Sequence, residues 1–291
     1  MLSIQHAMCG VLYYKNDDSD EFNKHLGYIL LPDAIRAYSG ARQYSHFERS
    51  RDGYDTSYWS FPCDIKHCTK ESIQKDINDY GHLVSDIKPC AIGEDTDIGA
   101  FYATNEHLPE VMFTGIEMHL KQDIVFDAFI RDEIDCSDKY NDVYRFNGQQ
   151  LNGENVRSLI GDIEQHGIYI LAHMVFKETG IKITNNWISD IVSPILYEEY
   201  PEDLADKTLG FMHIRDDINQ FIESENWAHL DEGLIPRSDY EEMYSRVINY
   251  MHAISYSTFI SSLGNYGELD VLEEEDDLEE DDLEEDDDLE L

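Results

Sequence analysis

At 291 residues with a 42% hydrophobic fraction, the chain has enough length and apolar content for one large domain or two small ones with a real core. Its formal net charge of -41 argues against direct nucleic-acid binding, because so acidic a body repels a polyanion over most of its surface. No stretch reaches the roughly 18 apolar residues of a transmembrane helix, and the opening MLSIQHAMCGVLYYKNDD lacks the basic region of a signal peptide, so a cytoplasmic location is expected.

In chain order, Leu2 to Tyr14 reads as a short helix carrying His6 and Cys9, and Lys15 to Asp20 as a polar turn. Asp20 to Leu31 is helical in pattern through Phe22, Leu26 and Ile29. Pro32 either ends that helix or starts the next, with Asp33 to Tyr38 adding a turn or two before a stop at Ser39-Gly40. Residues 49–68 are aperiodic and rich in aromatics, Gly, Ser and Pro, the pattern of an ordered loop. Thr69 is a suitable N-cap for a helix from Lys70 to about Val84. Ser85 to Asn105 is irregular, with short extended pieces such as Ala100 to Ala103.

Leu108 to Ile134 (LPEVMFTGIEMHLKQDIVFDAFIRDEI) reads as one long amphipathic helix, with Pro109 and Glu110 suited to its first turn. Val143 to Leu151 has the alternation of a small hairpin, with Asn147-Gly148 as its turn. Another long helix runs from Glu154 to Thr179, closed by Gly180, and further helices are expected at Asn185 to Tyr200, Asp203 to Glu223 and Tyr240 to Ser262. The sum is a mainly α, multi-helix globular domain over residues 1–266, with one small β-hairpin and a sub-boundary available near 137–153. No βαβ alternation points to a parallel-sheet nucleotide fold. Residues 267–291 form an acidic tail: Glu268 to Leu291 holds 17 acidic residues and no basic one, leaving about -24 on the rest. Like charges at that density predict disorder. The five cysteines are odd in number and suit reduced thiols; Cys63 to Cys68 matches no standard zinc knuckle.

The helix around His119 carries the sharpest chemical signal. At 100° per residue His119 and Asp123 stand about 40° apart, in the stripe with Ile116, Phe126 and Ile130 that should face the core. Buried polar groups must be paired or must hold a metal. His166 and His173 share the inward face of the Glu154 helix, His252 sits on an apolar face later in the chain, and His213 lies one turn from Asp217. A single histidine on an apolar face is usually a satisfied core residue. Imidazoles and carboxylates from several facing helices are how helical bundles build metal sites, and zinc, manganese or iron suits such ligands.

The second signal is positive charge. No acidic residue occurs between Ala34 and Phe47, where Arg36 and Arg42 stand with His46, and Arg49 and Arg51 follow. Arginine grips phosphate or carboxylate through its planar fork, so Arg36 and Arg42 are candidate catalytic residues beside a metal centre. Internal ion pairing is the plainer use of the same residues. Metal plus arginine points to phosphoester hydrolysis, in which the ion polarises a phosphoryl oxygen and lowers the pKa of a bound water. No GxSxG, GxxxxGK[ST], HExxH or GxGxxG motif occurs.

His6, the stretch ending Leu31-Pro32-Asp33, the step Ser45-His46-Phe47 and the helix His119-Leu120-Lys121-Gln122-Asp123 resemble the all-helical zinc-dependent phospholipase C-like proteins. The resemblance rests on short fragments covering under half of the chain. It implies a metal cluster built from an N-terminal backbone group, histidines and aspartates, with His6, Asp33, His46, His119 and Asp123 as ligands and His166 and His173 as late ones. The chain departs from the family's HxxxE pair, since Lys177 stands four residues past His173, and it has no N-terminal Trp. Metal count and substrate therefore stay open between a small phosphoester and a phospholipid. The other reading is a non-enzymatic acidic interaction or inhibitor protein that binds a basic protein partner or mimics nucleic acid. Assembly with like copies stays open as well.

Overall fold

The computed structural model describes residues 1–15, 19–39, 42–48, 59–80, 96–138, 141 and 143–253. The acidic tail, Arg49 and Arg51, and the far ends of the helices expected at 70–84 and 240–262 lie outside the described residues. The rest is a mainly helical globular domain with a small three-stranded antiparallel sheet.

Two helices form the centre. α1 (Ser3–Tyr13) leads to α2 (Ser19–Ser39), which packs against α1, the short α3 (Arg42–Ser45), α4 (Lys70–Tyr80) and α6 (Glu110–Glu133). α2 is continuous through Pro32, whereas the sequence places a helix boundary there. A proline inside a helix costs about 3 kcal/mol by removing a hydrogen bond and crowding the preceding turn. Leu30, Leu31, Ala34 and Ile35 are fully buried around it, and burial of that scale, at about 1.5–3 kcal/mol per large aliphatic side chain, outweighs the cost.

α6 lies against α2 at Gly115. A Cβ there would stand 2.5 Å from Tyr28 Cβ and 3.0 Å from the His25 carbonyl oxygen, so only glycine permits the approach. From Glu117 to Asp123 all seven consecutive α6 residues are buried, so the helix is enclosed on every side there. The charges in this run are paired. Lys121 Nζ lies 3.3 Å from Glu117 and donates to the Ala253 carbonyl at 2.8 Å.

Other elements follow their local chemistry. Thr69 caps α4, its Oγ1 accepting from the Ser72 amide at 3.1 Å while Ser72 Oγ accepts from the Thr69 amide at 3.0 Å. The sequence expects an extended piece at Ala100–Ala103. Instead α5 (Ile98–Asn105) is helical, because Asp97 Oδ1 accepts the Ala100 amide and nucleates the turn. The expected hairpin is present as β2 (Val143–Phe146) and β3 (Gln149–Asn152), turned by Asn147 at φ 50° and Gly148 at φ 78°, and β1 (Asp135–Asp138) adds a third strand.

α7 (Gly153–Thr179) is followed by α8 (Asn185–Trp187), a π turn over Ile188–Val192, and α9 (Ser193–Glu199). The single helix expected over Asp203 to Glu223 is two, α10 (Glu202–Met212) and α11 (Asp216–Ser224). The break is held by Asn185, whose side chain donates to the Ile214 carbonyl and accepts from the Ile214 amide, both at 2.9 Å. That pairing satisfies backbone groups the helix would otherwise have bonded. α12 (Arg237–Met251) packs on α6 and α7. No helix among the described residues is long and apolar enough to cross a membrane.

Candidate metal centre

α1, α2, the turn after α3, and α6 each send one or two polar side chains into the same buried volume. His6 comes from α1, Asp33 from α2, His46 from just past α3, and His119 and Asp123 from α6. His6, His46, His119 and Asp123 are wholly inaccessible, and Asp33 is 6% exposed. They form two overlapping groups, His6–Asp33–His119 and His46–His119–Asp123, in each of which the ligand-capable atoms lie within 4.8 Å of one another. Both groups are geometrically consistent with a metal-binding site.

The spacing is finer than that limit. His119 Nε2 lies 3.1 Å from His46 Nε2 and 3.4 Å from Asp123 Oδ2. His46 Nε2 lies 3.6 Å from Asp123 Oδ2 and 3.4 Å from Asp33 Oδ1, and His6 Nε2 lies 3.3 Å from Asp123 Oδ1. Tetrahedral coordination with bonds of about 2.0–2.1 Å has ligand–ligand edges of roughly 3.3 Å, and these separations cluster around that value.

Each imidazole is oriented by its other nitrogen. His119 Nδ1 donates to the Ile29 carbonyl at 2.7 Å, His6 Nδ1 contacts Gln122 Oε1 at 2.7 Å, and His46 Nδ1 contacts Ser45 Oγ at 2.8 Å. A carbonyl oxygen only accepts, so His119 Nδ1 carries a proton, and in the neutral tautomer the Nε2 lone pair faces inward. The His6 contact to the Gln122 amide oxygen has the same consequence. His6 Nε2 is buried and has no hydrogen-bond partner, the condition that a bound cation would relieve. Asp33 is steadied by Ser3, whose Oγ donates to Oδ2 at 2.7 Å.

Burial sets the protonation states. It pushes His6 down to about 4, with His119 alongside adding to the effect, and pushes His46 down to about 3, with Arg42 adding. Both imidazoles are therefore neutral at pH 7, as metal ligation requires. Burial, the largest single influence, would raise Asp33 and Asp123. At Asp33 the hydrogen bond from His46 and the nearby His119, His6 and His46 together outweigh it, and at Asp123 the Met1 ammonium, Arg42, His6 and the His119 hydrogen bond together do, so both carboxyls are held well below the usual range.

Charged groups surround this core. The Met1 ammonium lies 2.9 Å from Asp123 Oδ1 and 3.8 Å from Glu164 Oε1. Arg42 donates to Asp123 Oδ2 at 3.0 Å and to Glu48 through Nε, and reaches Asp127 Oδ2 at 4.0 Å. Asp127 Oδ2 is buried without a hydrogen-bond partner, and burial, with Asp123 adding, pushes its carboxyl up to about 7 against the pull of Arg42. The centre comes nearest to solvent here: the Arg42, Glu164 and Asp127 side chains are 23%, 18% and 11% exposed.

The remaining candidates lie elsewhere. Arg36 is exposed on α2. His166 donates to the Leu230 carbonyl at 3.2 Å and packs against Tyr240; His173 lies against Trp227. His252 stacks on Tyr13, and Asp217 pairs with Arg215 rather than with His213. Cys63 Sγ faces the His107 carbonyl, and no cysteine joins a metal-ligating group among the described residues.

Ser3, Glu48, Asp127 and Glu164 beside the centre are absent from the sequence reading, and Ser45 and Gln122 enter it only inside quoted fragments, with no role. Asp127 had a legible signal, because it follows Asp123 by one helical turn on the same face. The others reach the centre only through tertiary packing. Comparison of the chain with protein-family models, with curated proteins and with solved structures finds no match to any of the three.

Proposed function

We propose that the protein is a metal-dependent phosphoester hydrolase of the kind its partial resemblance to zinc-dependent phospholipase C-like proteins implies. Its substrate would be a small anionic or phospholipid-like phosphoester. The observation that carries this reading is the convergence of three inward-facing imidazole nitrogens and two carboxylates, with Arg42 at the edge of the same centre. His6, Asp33, His46, His119 and Asp123 would hold the ion, zinc in the first instance, with manganese or iron as the competing occupants. Bound there, such an ion supplies Lewis-acid polarisation of the phosphoryl oxygen and a water of lowered pKa.

The chain's own residues supply the rest. Arg42, always cationic, balances charge on the phosphoryl oxygens, and Glu48 and Asp123 hold its guanidinium in place. Asp127 offers a carboxylate oxygen without a hydrogen-bond partner at the edge nearest solvent, suited to accept a proton from a nucleophile. A non-enzymatic reading has one observation in its favour, the complete burial of four of the five ligands. An ion there would pin α1, α2 and α6 together as a structural metal.

The experiment is metal analysis by plasma mass spectrometry after reconstitution with zinc, coupled to hydrolysis of bis-p-nitrophenyl phosphate and of phosphatidylcholine. Stoichiometric zinc, lost in a folded His119→Ala variant, together with turnover that Arg42→Lys lowers by about a hundredfold, is expected. Zinc binding with no turnover of either substrate would sink the hydrolase reading and leave a structural metal. A protein still metal-free after reconstitution would sink both.

A further inference from the structure

In helical projection the side of α6 opposite His119 and Asp123 carries Ile124, Val125, Ala128, Phe129 and Asp132. With α12 it forms an open groove of about 540 Å³. The floor is apolar, made by Ile124, Val125, Ala128 and Phe129 of α6 and Met243 of α12. The rim is acidic, with Asp132 and Glu133 on one side and Asp239 and Glu242 on the other. Arg246 is the basic residue of the lining, and it is already held by Glu242 at 2.5 Å. Burial raises the Glu133 carboxyl and the proximity of Asp239 and Asp132 raises it further, a sign of carboxylates crowded together.

We propose that this groove docks an amphipathic segment of a partner protein, its apolar side chains on the floor and its Arg or Lys side chains paired with Asp132, Glu133, Asp239 and Glu242. An apolar trough between carboxylates selects for that combination. An acidic segment is repelled by the rim, and a purely polar cation leaves the floor wet. The chain's own Glu268–Leu291 cannot supply the charge, since it contains no Lys or Arg. The proposal is independent of the metal centre, which lies on the other side of α6.

The test uses the full-length protein and a synthetic peptide of about eighteen residues, with leucines at i, i+3, i+4 and i+7 spacing and lysines elsewhere. A peptide of the same composition in scrambled order is the control, and binding is followed by fluorescence anisotropy. One peptide per chain is expected, bound at least tenfold more tightly than the scrambled control and weakened by added salt. Ala128, an exposed residue of the groove floor, provides the discriminating variant: Ala128→Lys should weaken binding about tenfold while leaving the thermal transition in place. Should Ala128→Lys fail to fold, the double variant Asp239→Asn, Glu242→Gln should still weaken binding severalfold. Equal binding of the scrambled peptide, or no change in either variant, would overturn the proposal in favour of bulk charge attraction. So would a concentration-dependent dimer that the peptide dissociates and Ala128→Lys abolishes, which would assign the groove to a second copy of this chain.

Discussion

His119 shows how much of the candidate centre is carried by single residues. Its i, i+4 partner Asp123 and their shared apolar face are visible in the sequence, because a helix fixes their relation without help from the rest of the fold. Asp33, His46 and His6 enter the sequence reading as ligands only through the family resemblance, since no local periodicity links α1, α2 and α3 to α6. Arg36 and Arg42 look equivalent as charges; only packing separates the exposed Arg36 from Arg42, which sits among three carboxylates. At this scale the metal-free protein makes a pH prediction. His6, with an ordinary value of 6.5, is pushed to about 4 in the folded chain, so between those values the unfolded chain holds a proton that the folded chain lacks. Stability therefore falls as pH drops from 6.5 to about 4, reaching a cost of about 3 kcal/mol for this residue. Urea titrations across that window should show His6→Asn losing less stability per pH unit than the wild type, by about 1.4 kcal/mol. Parallel slopes for the two proteins would show that His6 stays as protonated in the fold as out of it.

Among the elements, the long helices and the hairpin are legible because their periods and turn residues are strong. Two of the failures share one cause. α2 runs through Pro32, and α10 and α11 separate at Ile214, because tertiary partners supply what local propensity withholds: apolar burial in the first case, the Asn185 side chain in the second. The third is local: the Asp97 cap that starts α5 stands in the sequence and outweighs the extended look of Ala100–Ala103. Gly115 gives no sequence signal of its importance, although it sets the distance between α2 and α6 and thereby lets His119 reach the Ile29 carbonyl. Gly115→Ala should destabilise the protein by about 1–3 kcal/mol through overpacking. Under the proposed metal reading it should also weaken zinc binding, because α2 carries Asp33 and α6 carries His119 and Asp123. Chemical denaturation and competitive zinc titration check the two effects. Intact zinc affinity in a destabilised variant would show that the centre tolerates a wider gap between the helices.

For the molecule as a whole, the formal charge of -41 is the dominant electrostatic fact. Self-repulsion of that size opposes the compact state, and added salt screens it over a Debye length of about 10 Å at 0.1 M. The thermal midpoint should therefore rise between 20 mM and 500 mM sodium chloride, by roughly 2–4 °C for each kcal/mol of repulsion relieved. Differential scanning calorimetry at several salt concentrations reads this directly, and a falling midpoint would mean that specific ion pairs such as Arg42–Asp123 outweigh the general repulsion.

α6 joins these scales, because it presents His119 and Asp123 on one side and the floor of the acidic-rimmed groove on the other, with Gly115 pressed against α2 near its start. A rigid rod gripped from both sides is a lever. An occupant of the groove that displaces α6 along its axis must stretch or shorten the distances from His119 to His46 and Asp33, and so change the affinity for an ion. Thermodynamic reciprocity then requires the ion to change the affinity for the occupant by the same factor, which would make one helix the shared coordinate of the two proposed binding equilibria.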